Sequence, residues 1–187
     1  FWAARGAGPF FCGIVTRYHL KVFPLPRAIA QSTYVFSIDQ IDNIIAWLEQ
    51  ARQRQDSKIE LSFIMESDDG EKQCVLSAVC FADDEDEGKT LLNTLLKDMP
   101  EQGRLFAKEF DRVSFAEVLA LTFTSTPNRL ANETAWAQTP PVALQVMAEH
   151  FVKAPAGRTV IIANFRSNTD LPEDAAFSVT APLFLNW

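Results

Sequence analysis

The chain has 187 residues, of which 48% are hydrophobic and 22% are charged, and its formal net charge is -7. This composition is typical of a folded globular protein of one domain, or of one domain with a piece of another, and it excludes a disordered or fibrous chain. The acidic charge excludes nucleic acid and anionic membranes as partners, because both require a basic face that neutralises phosphates.

The cysteines and the apolar runs predict the compartment. Cys12, Cys74 and Cys80 show neither the paired spacing of a metal site nor the density of a disulfide scaffold. No apolar run approaches the roughly 20 residues that span a bilayer. The sequence therefore predicts a cytoplasmic protein with no metal site and no membrane partner.

The first 27 residues differ from the rest of the chain. They contain Gly6, Gly8 and Gly13 in a glycine-rich loop, four basic residues and no acidic residue. The alternating pattern that follows predicts a strand over residues 13–23, ended by prolines that cannot donate to a strand ladder. A domain boundary is expected at about residue 27, so that residues 1–27 and 28–187 form separate parts.

The middle of the chain alternates between strand and helix patterns. Ser37 and Gln40 have the spacing of a capping box, which predicts a helix start at this point. The acidic run DDEDE at 83–87 predicts a second, solvated helix start. Strands are predicted over 31–37, 58–66, 73–82 and 103–112, with helices over about 37–55 and 83–99. This order is that of a ferredoxin-like, split βαβ unit.

The last third of the chain adds two helices and two strands to the prediction. Helices are predicted over 114–123 and from Thr139 onwards, where prolines are tolerated in the first turn. Residues 124–138 are predicted to be an irregular or partly extended link, and strands are predicted over 158–166 and 176–187. The fold class is therefore α+β, an antiparallel sheet with helices on one face.

Few residues point to chemistry by type alone. His19 and His150 are isolated, so no nucleophile and base can be assembled from them, and the catalytic residue stays unknown. Glu60 and Glu66 are candidates for a site on the sheet, or they are simply solvated. Cys74 and Cys80 share one face of a strand about 20 Å apart, which predicts two buried small side chains rather than a disulfide.

The opening segment FWAARGAGPFFCGIVTRYHLKVFPLP resembles the end of the FAD-binding domain in berberine bridge enzyme-like flavoprotein oxidases, of the vanillyl-alcohol oxidase type. The late segment DAAFSVTAPLFLNW is similar to a strand on the active-site side of that family's sheet. Phe10, Cys12 and Thr180 depart from the family's pattern. The positions that match in the opening segment are Phe1, Trp2, Ala3, Arg5, Gly6, Gly8, Gly13, Val15 and Thr16.

The resemblance implies that residues 1–27 are the tail end of an FAD-binding domain and that residues 28–187 are a substrate-binding domain, truncated at both ends. It implies FAD as the cofactor of the full-length protein, hydride transfer from a small-molecule substrate to the flavin, and a fragment that alone holds no flavin and is inactive. The implied cofactor-side residues are Gly6, Gly8, Gly13, Ile14, Val15 and Thr16. The implied substrate-pocket residues are Asn164, Arg166, Phe177 and Thr180.

A second interpretation assumes the same fold but no catalytic activity. A ferredoxin-like unit with an exposed sheet also serves as a non-catalytic module that binds a ligand or a protein partner. The sequence leaves the oligomeric state open, including a homodimer.

Overall fold

A computed structural model of the chain describes residues 13–14, 16–19, 22, 24–68, 70–122, 133–155, 157–167 and 179–187. Within these ranges it contains seven strands and four helices, together with short 3-10 turns at Ile38–Gln40 and Arg52–Arg54. The strands are β1 (Ala28–Ser37), β2 (Ile59–Asp68), β3 (Glu71–Ala82), β4 (Arg104–Arg112), β5 (Thr134–Ala137), β6 (Thr159–Phe165) and β7 (Leu183–Asn186). The helices are α1 (Ile41–Ala51), α2 (Glu85–Leu95), α3 (Phe115–Thr122) and α4 (Pro140–Lys153).

The described strands form a single antiparallel sheet in the order β4-β1-β3-β2-β6-β7-β5. Its first four positions, with α1 and α2 as the connections, have the ferredoxin-like arrangement, so the predicted architecture is confirmed. Strands β6, β7 and β5 then extend the sheet beyond β2.

One face of the sheet carries the hydrophobic core. Along β2 the side chains alternate, so that Leu61, Phe63 and Met65 are buried while Ser62 and Ile64 are half-buried on the other face. Helices α1, α2 and α4 cover the core face. The largest fully buried helix side chains there are Ile44, Leu48, Leu92, Leu95, Leu144 and Phe151. The opposite face is called the open face below.

Helix α3 lies apart from this core. The Phe115 ring meets the Phe81 ring edge-on at 6.4 Å between centroids, and Phe81 belongs to the open face. Phe115 and Leu119 keep 42% and 40% of their surface exposed. The helices that build the core are therefore the other three.

The strand predicted over 13–23 is wrong for the part of it that the structure describes. Residues 13–14, 16–19 and 22 have no strand assignment, and Ile14 is 94% exposed. Alternation alone does not make a strand, because the backbone groups also require a neighbouring strand as a hydrogen-bonding partner. The first described strand begins at Ala28.

The predicted capping box at Ser37 is also wrong. The Ser37 side chain makes no cap hydrogen bond, and the Ser37 backbone N–H donates to the Gly103 carbonyl at 2.9 Å. The Gln40 side chain therefore cannot bond that N–H, and its Oε1 accepts from Asn43 Nδ2 at 3.0 Å. Gly103 has a φ of +68°, a left-handed conformation that favours glycine, and β4 starts one residue later than predicted.

The acidic run at 83–87 is a helix start, as predicted. The Asp84 carboxylate accepts from the Glu87 backbone N–H at 2.8 Å, which caps α2. Lys58 Nζ donates to Glu87 at 2.7 Å and to Asp83 at 3.0 Å. Each of these three acidic side chains therefore has a structural contact.

Neither a metal-binding cluster nor a membrane-spanning helix is found among the described residues. No cluster of His, Cys, Asp or Glu among them is arranged to hold a metal ion. None of the helices in the described ranges is both long enough and apolar enough to cross a bilayer.

Cys74 and Cys80 lie fully buried on the core face of β3 as free thiols. Burial raises the pKa of Cys74 to about 12, and burial with nearby Glu87 raises the pKa of Cys80 to about 11. Since the thiolate is the reactive form, we expect neither thiol to react with a disulfide reagent at pH 8 until the protein unfolds. The measurement is a thiol assay on a Cys12→Ser variant with and without denaturant; rapid labelling of the native protein would contradict the buried placement.

Candidate functional site

A row of side chains crosses the open face through all seven described strands. Thr33 pairs with Ser77, Ser77 with Ser62, and Ser62 with Asn164 in the ladders of β1, β3, β2 and β6. The same row continues from Asn164 to Phe184 of β7, and then to Trp136 of β5 at the sheet edge. At its other end Thr33 pairs with Lys108 of β4. The row is polar in the middle of the sheet and aromatic at the β5 edge.

The polar members of the open face are hydrogen-bonded to one another. Ser62 Oγ donates to Asn164 Oδ1 at 2.7 Å, and Gln31 Nε2 donates to Ser77 Oγ at 3.2 Å. Each bond joins neighbouring strands and so fixes a side-chain orientation across the ladder. The middle row of the open face therefore contains hydrogen-bonded polar side chains, while the neighbouring row of Val75, Ile64 and Ile162 is apolar.

Carboxylates flank this row. Glu66 is half-buried, and its Oε1 accepts from Gln73 Nε2 at 2.6 Å, whereas Glu60 is exposed. Both glutamates are on the open face, as the alternation predicted. Neither glutamate pairs with Asn164 in the ladder between β2 and β6.

The aromatic end of the row forms an open pocket of about 270 Å³, lined by Trp136, Asn164, Phe165, Arg166 and Phe184. The Trp136 and Phe184 rings are tilted at 53° with centroids 5.0 Å apart. Trp136 is 40% exposed, so its ring is accessible to a ligand. Two of the predicted pocket residues, Asn164 and Arg166, lie together here.

Arg166 holds the chain that enters β7. Its Nη1 donates to the Val179 carbonyl at 2.6 Å, and its backbone N–H donates to the Pro182 carbonyl at 2.8 Å. Thr180, another predicted pocket residue, is exposed within this tethered segment. Phe177 lies outside the described residues. Arg166 therefore tethers residues 179–182, the segment that leads into β7 and its pocket residue Phe184.

The predicted cofactor-side residues are only partly described. Gly13, Ile14 and Thr16 are exposed and lie outside the described strands, while Gly6, Gly8 and Val15 lie outside the described residues. An exposed segment of this kind offers backbone N–H groups to a ligand but encloses no volume. The described residues alone do not fit a complete FAD site.

A second polar cluster lies on the helix side, at the β4 edge. The buried Tyr34 hydroxyl donates to Glu109 Oε1 at 3.0 Å, and the Arg104 guanidinium lies 5.4 Å from the Tyr34 ring centroid. Burial, followed by the bond to Glu109, raises the pKa of Tyr34 above its usual value. The phenol is therefore held protonated and joins β1 to β4.

Sequence reasoning missed Trp136, Ser62 and Phe184. Trp136 stands in the stretch predicted to be an irregular link, and the structure places it in the four-residue strand β5. Ser62 and Phe184 alternate with buried neighbours in their strands, which is the signal that could have placed them on one face.

Parts of the chain are similar in sequence to FAD-linked oxidoreductases. The chain is 31% identical to the FAD-linked oxidoreductase nodO of Hypoxylon pulicicidum over 120 residues, which are 63% of this chain and 26% of that protein. It is 44% identical to the FAD-linked oxidoreductase janO of Penicillium janthinellum over 48 residues, which are 26% of this chain and 11% of that protein. Its curated homologues are FAD-linked oxidoreductases. No protein-family model matches the chain.

The fold is similar to that of solved berberine bridge enzyme structures. A variant of berberine bridge enzyme in complex with (S)-reticuline superposes with a TM-score of 0.67 at 14% identity, over 99% of this chain and 40% of that one. The resemblance to berberine bridge enzyme-like oxidoreductases is thereby confirmed over part of the chain. The chain spans about a quarter of the length of nodO.

Proposed function

We propose that this chain is the substrate-binding part of an FAD-dependent oxidoreductase that oxidises a small organic molecule by hydride transfer to the flavin. The observation that carries the proposal is the aromatic pocket on the open face of a chain whose homologue nodO is FAD-linked. Residues 28–187 would form the substrate-binding domain, and residues 1–27 would belong to the end of the FAD-binding domain.

The flavin and this chain would have different roles in the reaction. Bound flavin would accept a hydride from a substrate carbon that bears an alcohol or amine, while a proton leaves the heteroatom, and oxygen or another acceptor would reoxidise the flavin. This chain's residues would bind and orient the substrate. Trp136 and Phe184 offer apolar ring surfaces in a pocket that Asn164 also lines.

The cofactor contact is part of the same proposal. The segment with Gly13, Ile14 and Thr16 is exposed and would lie against a flavin held mainly by the FAD-binding domain of the full-length protein. The chain by itself would then be inactive, because it would position a substrate without the group that oxidises it.

The test is the visible spectrum of the complete reading frame that encodes this chain, purified as one protein. Unmodified side chains do not absorb visible light, so the proposal expects a yellow protein with flavin absorption bands. A folded but colourless product that gains no such bands on addition of FAD would overturn it. The 187-residue chain alone, prepared in the same way, is the matched control and should stay colourless.

A further inference from the structure

We propose that α3 is the helix on which the FAD-binding domain of the full-length protein docks. The contact would be made by the apolar outer side of α3, which consists of Phe115, Ala116, Leu119 and Ala120 and is called the α3 stripe below. The surface that covers it would be apolar and uncharged. The inference rests on the proposed function for the presence of an FAD-binding domain, and it adds the element that this domain contacts.

The first step is that α3 is apolar without being buried. Six of the eight residues in its sequence FAEVLALT are apolar. Phe115, Ala116, Leu119 and Ala120 are all exposed. Because an α-helix has about 3.6 residues per turn, residues at these spacings lie on one side of it. An apolar side of a helix that remains in water is typical of a surface that another domain covers.

The second step is that the charged side chain of α3 is used at the start of the helix. Glu117 Oε2 accepts from the Ser114 backbone N–H at 2.6 Å, and Ser114 Oγ accepts from the Glu117 backbone N–H at 3.2 Å. This reciprocal pair caps the helix. The turn that follows, with Leu119 and Ala120, therefore presents no charge to a domain that packs on it.

The third step is the place at which the preceding domain would join this one. Residues 25–29 and 112–115 line one open pocket of about 390 Å³ beside the start of α3. Leu25 is 70% exposed and lines this pocket together with Phe115. The resemblance assigns residues 1–27 to the end of the FAD-binding domain, so that domain would join the chain next to the α3 stripe. Leu25 and the stripe would then be covered together.

The fourth step is the side of the sheet on which α3 lies. Its Phe115 ring meets the Phe81 ring of the open face, whereas α1, α2 and α4 cover the core face. A domain that docks on α3 therefore lies on the side of the sheet that carries the aromatic pocket. Helix α4 also exposes two apolar side chains, Val142 and Val146, but on the core-face side, where they should stay in water.

Hydroxyl-radical footprinting read by mass spectrometry tests this contact, because the oxidation rate of a side chain follows its exposure to water. The full-length protein is compared with the 187-residue chain. We expect Phe115 and Leu119 to be oxidised more slowly in the full-length protein, on the order of fivefold, because docking would bury both side chains. Val142 and Val146 are the matched controls and should be oxidised at the same rate in both proteins.

A substitution in the α3 stripe assigns the protection to this helix. Leu119→Lys keeps a good helix former but places a charge where the domain would dock. In the full-length protein it should return the oxidation of Phe115 to the rate of the 187-residue chain, whereas Val146→Lys on α4 should leave Phe115 protected. Leu119→Met keeps the side chain apolar and should keep the protection. Melting curves confirm that each variant is folded, and the comparison of the two wild-type proteins stands without the variants.

Several outcomes would contradict the docking helix. Equal oxidation of Phe115 and Leu119 in the two wild-type proteins, equal slowing at the α4 valines, or protection of Phe115 that survives Leu119→Lys would each overturn it. Protection that appears in the 187-residue chain as its concentration rises would make a second copy the occupant and would overturn it as well. A yellow full-length protein with an exposed stripe would leave the proposed function standing without the docking helix. A colourless one with a protected stripe would do the reverse.

Discussion

Replacement of Phe63 by alanine is expected to lower the free energy of unfolding by about 3–5 kcal/mol, the range for a large aromatic side chain lost from a core. Phe63 is fully buried on the core face of β2, between Leu76 of β3 and Ala163 of β6. The cavity would open at β2, where the ferredoxin-like unit meets the added strands β6, β7 and β5. The strand ladders on both sides of β2 limit how far the cavity can collapse. Urea unfolding followed by circular dichroism measures the loss.

The neighbouring residue provides a matched control. Ile64 lies on the open face, half-buried, opposite Val75 and Ile162. Because this side chain stays partly in water, Ile64→Ala should cost about 1 kcal/mol or less. If both substitutions cost the same, the open face would be packed as tightly as the core and could not offer a ligand pocket.

The ferredoxin-like unit could be predicted because each of its elements carries a local signal. The alternation in β2 and β3, the short acidic turn between them and the apolar stripe of α1 each depend on residues close in sequence. The order of β6, β7 and β5 depends instead on long-range pairing. Strand β5 has only four residues and pairs with β7 about 50 positions later, which leaves no periodicity to detect.

The candidate site likewise combines residues that the sequence indicates with contacts that depend on long-range pairing. The family resemblance implies Asn164 and Arg166 as pocket residues, and both line the pocket beside Trp136. The Ser62 contact that orients Asn164 joins residues 102 positions apart, so only the β2–β6 register reveals it. The failed capping box at Ser37 has the same cause, since the distant Gly103 carbonyl takes the N–H that the local motif requires.

Replacement of Phe151 by alanine is the second large effect expected, again a loss of about 3–5 kcal/mol. Phe151 is 1% exposed on α4, the helix that packs against α1 and β6. Lys72 of β3 lies 5.6 Å from the ring centroid and donates Nζ to the Val152 and Ala154 carbonyls at the end of α4. The ring therefore links the added strands to the ferredoxin-like unit.

Because of this link, we expect the loss of stability in Phe151→Ala to affect the whole sheet, which should still unfold in a single transition. Amide hydrogen exchange in β1 and in β6 should accelerate together in Phe151→Ala, since both strands belong to one core cluster. Val152→Ala is the control, because the adjacent side chain is 51% exposed and its truncation should change stability by no more than about 0.5 kcal/mol. Faster exchange confined to β6 and β7 would instead mean that the strands carrying Asn164 and Phe184 open separately, and the pocket would then be the least stable part of the sheet.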